Sequence, residues 1–237
     1  MEEDYRQQRA VLFIHGIVGN TRIFDFLLPC VPHGYESHTL TLAGHDSDAL
    51  AFSRTSMEQW HRQVDDTVAA LRHRCGYVVI VAHSMGTLFA IRQAVKKNVD
   101  AIFLLNPPLR IRLTSRLFVT PVKVMLGLTS DPVTAAAKAS YGISLDYNPL
   151  HYYAWPLRYF ELFAEIRKVR DLVSQLCCRA VAFIAARDEM VSPRSAAYFA
   201  NLDNCHVALL PTSGHSYYSP ADREDISRSL SELLNQV

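Results

Sequence analysis

One serine of this sequence stands in a context suited to nucleophilic chemistry. Ser84 follows the apolar run 77–81 within the segment Ala-His-Ser-Met-Gly at 82–86, and a helical pattern over 87–97 comes next. A strand that passes through small-x-Ser-x-Gly into a helix is typical of a nucleophile elbow, a tight turn that lifts the serine Oγ clear of the sheet. The simpler alternative is a strand-to-helix turn in which Ser84 only caps the helix.

Two other residues have types that would complete a site for acyl transfer. His215 lies in a loop between Gly and Ser, and a histidine pKa near neutrality suits a base that takes a serine proton and returns it. Asp188 follows the apolar run 179–186, where it could orient the histidine and stabilise its charged form. Glu189 competes for this role. His206, inside a predicted strand, is expected to pack among other side chains.

Backbone N–H groups near Ser84 would have to hold the negative charge that develops on a substrate carbonyl. The segment His-Gly-Ile-Val-Gly-Asn at 15–20 follows the apolar run 10–14, and its glycines allow N–H groups to turn toward an oxyanion. We expect the N–H groups of Ile17 and Met85 to be the two donors. Without Ser84, the same segment would predict only a glycine turn.

The elements that must position these residues alternate along the chain. Segments with helical spacing separate short apolar runs at 10–14, 36–42, 77–82, 101–105, 179–186 and 205–210. Continuous apolar strands separated by helices predict an α/β fold with a mostly parallel, doubly wound sheet covered on both faces. Ser84, Asp188 and His215 each follow one of these strands. Their loops should therefore meet at one edge of the sheet.

The segment 107–155 interrupts this alternation. It contains no clean strand, and apolar and basic side chains mix along it. Connections of this length usually carry function or their own structure. We therefore expect 107–155 to form a small, mostly helical cap or lid inserted into a core made of 1–106 and 156–237.

Substrate contacts are harder to assign than the reacting groups. Leu109 and Met125 of the cap, together with Met190, are candidate substrate-binding residues because they are apolar and lie near the expected site. Apolar side chains of this kind more often belong to the core. His45, in the loop after the second predicted strand, is expected to have a structural role.

Composition excludes several classes of function. The 24 Lys and Arg residues nearly balance 23 Asp and Glu, so the net charge of +1 does not indicate a nucleic acid or an anionic membrane as partner. The ten histidines show no metal-ligand spacing, and no cofactor motif is present. No apolar stretch reaches membrane-spanning length. An acidic start, together with five cysteines that lie mostly in or beside apolar runs, indicates a cytoplasmic protein with reduced thiols. The composition does not indicate an oligomeric state.

The motifs together resemble a known group. The chain is similar to the small bacterial carboxylesterases and monoacylglycerol lipases of the α/β-hydrolase superfamily over nearly its whole length. The residues that carry the resemblance are His15-Gly16 with Gly19-Asn20, Gly44-His45, Ser84 with Gly86, Asp188-Glu189-Met190 with Pro193, and Ser213-Gly214-His215. Ala82 and Thr87 depart from the group, because many relatives have Gly at both positions, and the cap is its least similar part.

The resemblance implies a role for each matching residue. Ser84 would be the nucleophile, His215 the general base and acid, and Asp188 the carboxylate that orients the histidine. Ile17 and Met85 would supply the oxyanion hole.

We therefore expect a serine hydrolase that cleaves small-molecule carboxylic esters, with short to medium acyl chains or monoacylglycerol-like, through an acyl-enzyme intermediate. It would need no cofactor or metal and no stable membrane insertion. Two alternatives stay open. The same triad could serve a thioesterase, an amidase or a peptidase, or the chain could be a ligand-binding member of the fold without catalytic activity.

Overall fold

Six parallel strands form the central sheet of the protein, as expected. The computed structural model describes residues 7–112, 123, 127–128 and 130–236. In chain order the strands are Arg9–Ile14 (β1), Tyr35–Leu40 (β2), Ser47–Asp48 (β3), Tyr77–His83 (β4), Ala101–Leu105 (β5), Ile143–Ser144 (β6), Arg179–Ala185 (β7) and Cys205–Leu210 (β8). The order across the sheet is β2-β1-β4-β5-β7-β8, and every neighbouring pair is parallel. The sites after β4, β7 and β8 therefore open at one edge.

Helices cover both faces of this sheet. The described α-helices are Ala49–Ser53 (α1), Met57–Arg74 (α2), Met85–Val95 (α3), Pro132–Ser140 (α4), Trp155–Leu172 (α5) and Pro220–Asn235 (α6). Short 3-10 turns lie at Thr21–Phe24, Leu28–Cys30, Pro149–Tyr152, Val173–Gln175 and Pro193–Tyr198. Over the described ranges, no helix is long and apolar enough to cross a membrane.

Side-chain alternation along the strands divides the core into two apolar layers. Leu12, Ile80 and Leu104 pack on the face covered by α2, α3 and α5. Phe13 and Phe103 point to the opposite face, which α6 covers. Burial of one such side chain contributes about 1.5–3 kcal/mol, so both layers stabilise the sheet and account for the continuous apolar character of its strands.

Helix α2 illustrates how local sequence sets an element. Ser56 accepts a hydrogen bond from the Gln59 backbone N–H and so begins the helix. Its buried side chains recur at three- and four-residue spacing, at Met57, Trp60, Val64, Val68 and Leu71. This stripe lies against the sheet, as the sequence spacing predicts.

The segment 107–155 contains both helix and strand in its described part. Helix α4 begins after Asp131, whose carboxylate accepts the Thr134 N–H at 2.9 Å. The prediction of no strand in this segment was wrong, because β6 pairs in parallel with β3 through Ser47 and Ile143. A two-residue strand is too short to leave an alternating pattern in the sequence.

Helix α3 approaches β1 so closely that only glycine fits at position 86. A Cβ on Gly86 would lie 2.2 Å from the Ile14 carbonyl oxygen and 2.7 Å from that of His15. Both obstacles are backbone atoms. Because strand and helix are fixed by the sheet and the core, neither can move aside without breaking other contacts.

We therefore expect Gly86→Ala to lower the free energy of unfolding by more than about 3 kcal/mol, as overpacking against a fixed backbone does. Urea denaturation would measure the change. Gly34→Ala is the matched control, since no atom lies within 4 Å of its would-be Cβ, and it should change stability by less than about 0.5 kcal/mol. Equal stability of the two variants would contradict the close approach of α3 to β1.

Candidate active site

Ser84 occupies a strained turn between β4 and α3. Its backbone angles are φ 50° and ψ −123°, a conformation that costs a residue with a side chain of the order of 1–3 kcal/mol. Although Ser84 is the residue before the helix, its side chain makes no capping hydrogen bond. The helix-cap interpretation is therefore wrong for this serine. The strain instead presents its Oγ to another loop.

That Oγ belongs to a hydrogen-bonded row of three side chains. His215 Nε2 lies 3.0 Å from Ser84 Oγ, and His215 Nδ1 lies 2.8 Å from Asp188 Oδ2. Asp188 is fully buried, and its Oδ1 accepts the backbone N–H groups of Met190 and Val191 at 2.7 Å each. Since an ionised carboxylate only accepts, Nδ1 carries the proton, which leaves Nε2 free to accept from the serine hydroxyl.

The two neighbouring acidic residues contact different atoms of His215. Asp188 bonds the imidazole ring, whereas Glu189 Oε2 accepts the His215 backbone N–H at 3.2 Å. The geometry thus brings together Ser84, His215 and Asp188 in the order expected. Glu189 lies next to these three residues and contacts the backbone of His215 rather than its ring.

The environment of His215 favours its protonated form. Burial by itself lowers the pKa of the imidazole, but the charge and hydrogen bond of Asp188, with the charge of Glu189, outweigh it and raise the pKa above its usual value. A nearby carboxylate therefore makes this imidazole a stronger base.

Two residues that the sequence analysis did not single out fix the backbone of His215. His83 Nε2 donates to the His215 carbonyl oxygen at 2.9 Å, and Asn106 Nδ2 donates to the same oxygen at 3.0 Å. Asn106 is fully buried with φ 52°, and its Oδ1 accepts the Ala185 N–H at 2.8 Å. The end of β5 is thereby linked to the end of β7 and to the histidine loop. Burial, followed by the nearby charge of His215, lowers the pKa of His83 to about 3, so this donor stays neutral.

The other side of the histidine loop is tied to α6. Asp222 Oδ2 accepts from the hydroxyl groups of Ser213 at 2.6 Å and Thr212 at 2.8 Å. Ser213 Oγ in turn accepts the Ser219 N–H at 3.1 Å. These bonds hold the loop from both ends and limit the directions in which His215 can move.

Two backbone N–H groups near Ser84 are available to an incoming ligand. In the part of the chain that the structure describes, the N–H groups of Ile17 and Met85 make no hydrogen bond. Met85 is the first residue of α3, where the helix dipole favours negative charge. Gly16 lies directly against the serine, because a Cβ there would be 2.8 Å from Ser84 Cβ. The loop after β1 and the elbow therefore meet at one point.

Hydrogen bonds to the segment 107–155 hold this loop in place. Asn20 N donates to Ser140 O at 3.0 Å, and Gly142 N donates to Val18 O at 2.8 Å. The Asn20 side-chain amide also donates to the Tyr141 carbonyl at 2.9 Å. Helix α4 and the chain that follows it thus lie directly over the 16–20 loop.

Among the other histidines, only His45 lies as the sequence suggested. Its ring packs against Phe52 and Trp60, and burial, with a smaller contribution from His15, lowers its pKa to about 3. This environment fits a structural role. The expectation that His206 packs was wrong, because it lies exposed on the edge strand β8. In the described ranges, no group of His, Cys, Asp and Glu side chains could hold a metal ion.

Ser84 and His215 open into a cavity of about 120 Å³. Its apolar lining comes from Ile17, Val18, Ile23, Ala137 and Met190. Of the three candidate substrate contacts, Met190 lines this cavity, whereas Leu109 is fully buried in the core outside it. Met125 lies outside the described residues.

The Asn106 amide provides a test of how the histidine loop is held. Asn106→Asp replaces donors that face the Gly214 and His215 carbonyls by a carboxylate of similar size, and so leaves an uncompensated buried charge. We expect a loss of about 3 kcal/mol in unfolding free energy at neutral pH, measured in urea, which shrinks as acid protonates the new carboxyl. Asn201→Asp at an exposed turn is the control and should cost less than about 0.5 kcal/mol. An unchanged unfolding free energy in Asn106→Asp would contradict the role of the Asn106 amide in holding the histidine loop.

Known protein structures share this fold. A structure of the metagenome-derived lipolytic enzymes LipS and LipT superposes with a TM-score of 0.72 and 18% identity over 96% of this chain and 94% of the other. The monoacylglycerol lipase of Paleococcus ferrophilus has a TM-score of 0.67 and 14% identity, over 95% of this chain and 93% of the other. A monoglyceride lipase variant of Saccharomyces cerevisiae has a TM-score of 0.68 and 14% identity, over 97% of this chain and 87% of the other. No curated protein matches significantly in sequence. The sequence profile of the alpha/beta hydrolase family matches residues 11–226, and the chain therefore belongs to that family.

Proposed function

We propose that this hydrolase cleaves carboxylic esters of small molecules through an acyl-enzyme intermediate, with Ser84 as nucleophile, His215 as base and acid, and Asp188 as orienting carboxylate. The observation that carries the proposal is the row of hydrogen bonds, 3.0 Å from Ser84 Oγ to His215 Nε2 and 2.8 Å from His215 Nδ1 to Asp188. A nucleophile, a base within hydrogen-bond reach and a third group that orients the base are the requirements for this chemistry.

The first half-reaction transfers the acyl group to the enzyme. Ser84 Oγ attacks the carbonyl carbon while His215 Nε2 takes the hydroxyl proton, and the buried Asp188 carboxylate stabilises the imidazolium. The N–H groups of Ile17 and Met85 receive the negative charge on the carbonyl oxygen. When the tetrahedral intermediate collapses, the carbon–oxygen bond to the alcohol breaks and His215 returns the proton to the leaving alkoxide.

The second half-reaction releases the acid. Water attacks the acyl carbon of the ester on Ser84, and His215 Nε2 takes a proton from that water. The second tetrahedral intermediate breaks the bond to Ser84 Oγ, which recovers its proton from His215. The raised pKa of His215 supports its role as base in both halves.

The cavity supports a preference for a compact substrate group. Its volume of about 120 Å³ is somewhat below the roughly 150 Å³ of an engineered apolar cavity that admits benzene. Within the expected range of short to medium acyl chains, we therefore propose the short end. Each buried methylene contributes about 0.8 kcal/mol until the cavity is filled, and longer chains gain nothing further.

We also propose that 107–155 acts as a cap on a core of 1–106 and 156–237. Ala137, Ser140 and Tyr141 from this segment line the cavity beside Ser84. A segment that forms one wall of the site would exclude water from it and select the bound group.

Ser84→Ala should remove nearly all esterase turnover, since loss of a nucleophilic serine costs on the order of 10⁶ in kcat. A fluorophosphonate should label one serine per chain, and mass spectrometry should locate the label on the Ser84 peptide. Ser216→Ala is the matched control, because Ser216 also lines the cavity but is not part of the row. This variant should keep both turnover and labelling. Labelling of any other serine, or retained activity in Ser84→Ala, would overturn the proposed nucleophile.

The two neighbouring carboxylates should respond differently to neutralisation. Asp188→Asn should lower kcat by about 10⁴, because the amide favours the wrong imidazole tautomer. Glu189→Gln should keep most turnover, since Glu189 accepts the backbone N–H of His215 whereas Asp188 bonds the imidazole ring. Because catalysis needs the neutral imidazole and its pKa is raised, kcat/KM of the unmodified enzyme should fall as pH drops through a value above 6.5.

Removal of the Glu189 charge should move the fall of kcat/KM at acid pH to lower pH, because that charge raises the His215 pKa. A pH profile of Glu189→Gln superimposable on that of the unmodified enzyme, or a larger loss of kcat than in Asp188→Asn, would contradict these assignments.

A further inference from the structure

Two tyrosines line the cavity together with Ser84 and His215. Tyr141 follows directly on helix α4, and Tyr159 lies on helix α5. Neither phenol oxygen makes a hydrogen bond to any other group in the part of the chain that the structure describes. Both side chains are half-buried and their hydroxyl oxygens remain accessible to solvent, so each is free to bond a ligand that enters the cavity.

Two other polar side chains of the cavity wall, those of Asn20 and Ser140, have partners within the protein. The Asn20 amide donates to the carbonyl groups of Ala139 and Tyr141, and its oxygen accepts the Arg22 N–H. Ser140 Oγ donates to the Ala137 carbonyl at 2.9 Å. These groups are already satisfied. Apart from the proposed reacting groups, the side-chain hydrogen-bonding capacity left for a ligand includes the two phenols and the Ser216 hydroxyl, and the two phenols lie together on the side formed by α4 and α5.

The protonation state of the phenols is well defined. Burial raises the pKa of Tyr141, and burial with the nearby Tyr141 raises the pKa of Tyr159 further. Both hydroxyl groups therefore stay neutral throughout the pH range in which a histidine base works, and each can donate one hydrogen bond and accept others.

An alkyl chain bound beside these two hydroxyl groups would cover them and leave them unpaired. A hydroxyl that is covered without a partner costs about 1–3 kcal/mol relative to a satisfied one. A ligand that supplies an oxygen at this point avoids that cost, whereas an alkyl chain does not. Sites of this kind discriminate strongly against analogues that lack the polar atom, because binding such an analogue leaves the protein groups unpaired.

We propose that Tyr141 and Tyr159 form a polar subsite that binds a second oxygen of the substrate, a carbonyl, hydroxyl or ether oxygen outside the reacting ester group. The inference rests on the proposed ester hydrolysis and narrows it, from small esters in general to esters that carry an additional oxygen in the acyl or alcohol part. The subsite comes from α4 and α5, whereas Ser84 and His215 come from the ends of β4 and β8. The two functions can therefore be altered separately.

The experiment compares matched substrates in matched variants. For the acyl part, 4-nitrophenyl levulinate and 4-nitrophenyl pentanoate have the same chain length and differ by one carbonyl oxygen. For the alcohol part, glycerol monobutyrate and propyl butyrate differ by two hydroxyl groups. The kcat/KM ratio of the oxygenated ester to the alkyl ester is measured for each pair. Comparison of one ratio between variants cancels the intrinsic reactivity of the esters.

Tyr141→Phe and Tyr159→Phe each remove one oxygen and keep the ring. In at least one pair, the ratio should fall about 3- to 10-fold in each variant, the worth of one hydrogen bond, while turnover of the alkyl ester stays within about twofold. Tyr153→Phe is the control, because Tyr153 lies just before α5 and is 65% exposed. It should leave both ratios unchanged. Since neither cavity hydroxyl has a protein partner, neither variant should melt at a lower temperature than the unmodified protein.

Two failures have different meanings. If all four esters are turned over by Ser84 and neither ratio changes in Tyr141→Phe or Tyr159→Phe, the polar subsite is refuted while the proposed function stands. If none of the esters shows turnover that depends on Ser84, the proposed function itself is overturned and the subsite with it.

Discussion

The hydrogen bonds to the backbone carbonyl of His215 are the interaction on which the rest of the site depends. An imidazole ring can lie 3.0 Å from Ser84 and 2.8 Å from Asp188 at once only if its own backbone is fixed. His83 and Asn106 supply that constraint from the ends of two adjacent strands. The His215 carbonyl oxygen thus connects the ends of β4 and β5 with the loop that carries His215. The position of this oxygen is set by the sheet rather than by the loop itself.

This constraint explains why buried polar groups are concentrated at the sheet edge. Each of them carries a cost of burial that only a hydrogen-bond partner offsets. Asn106, Asp188 and Asp222 all have such partners, among them the His215 carbonyl, the Val191 N–H and the Ser213 hydroxyl. Electrostatic preorganisation of this type fixes the dipoles before a substrate arrives, so no reorganisation is required when charge develops.

The sequence was sufficient to predict the sheet and to place Ser84, Asp188 and His215 at one edge of it, but not to identify the residues that hold them there. Strands buried on both faces leave continuous apolar runs, and Ser84, Asp188 and His215 follow such runs. Asn106 escaped notice because its role depends on a contact across 109 residues, which neither residue type nor spacing records. His206 was misjudged because β8 is an edge strand, and only the strand order shows which strands lack a second neighbour. Leu109 was assigned to the substrate because it is apolar and belongs to the expected cap, and neither property distinguishes a cavity wall from the core beside it.

Hydrogen bonds join the 16–20 loop, which carries the Ile17 N–H group, to the chain around α4, which forms one wall of the cavity. The two segments are therefore expected to move together. Three bonds, from Asn20 N, the Asn20 amide and Gly142 N, cross between them. A motion that lifted α4 would pull the 16–20 loop away from Ser84 at the same time. A ligand that reaches Ser84 while this loop keeps its position would therefore pass another side of the cavity.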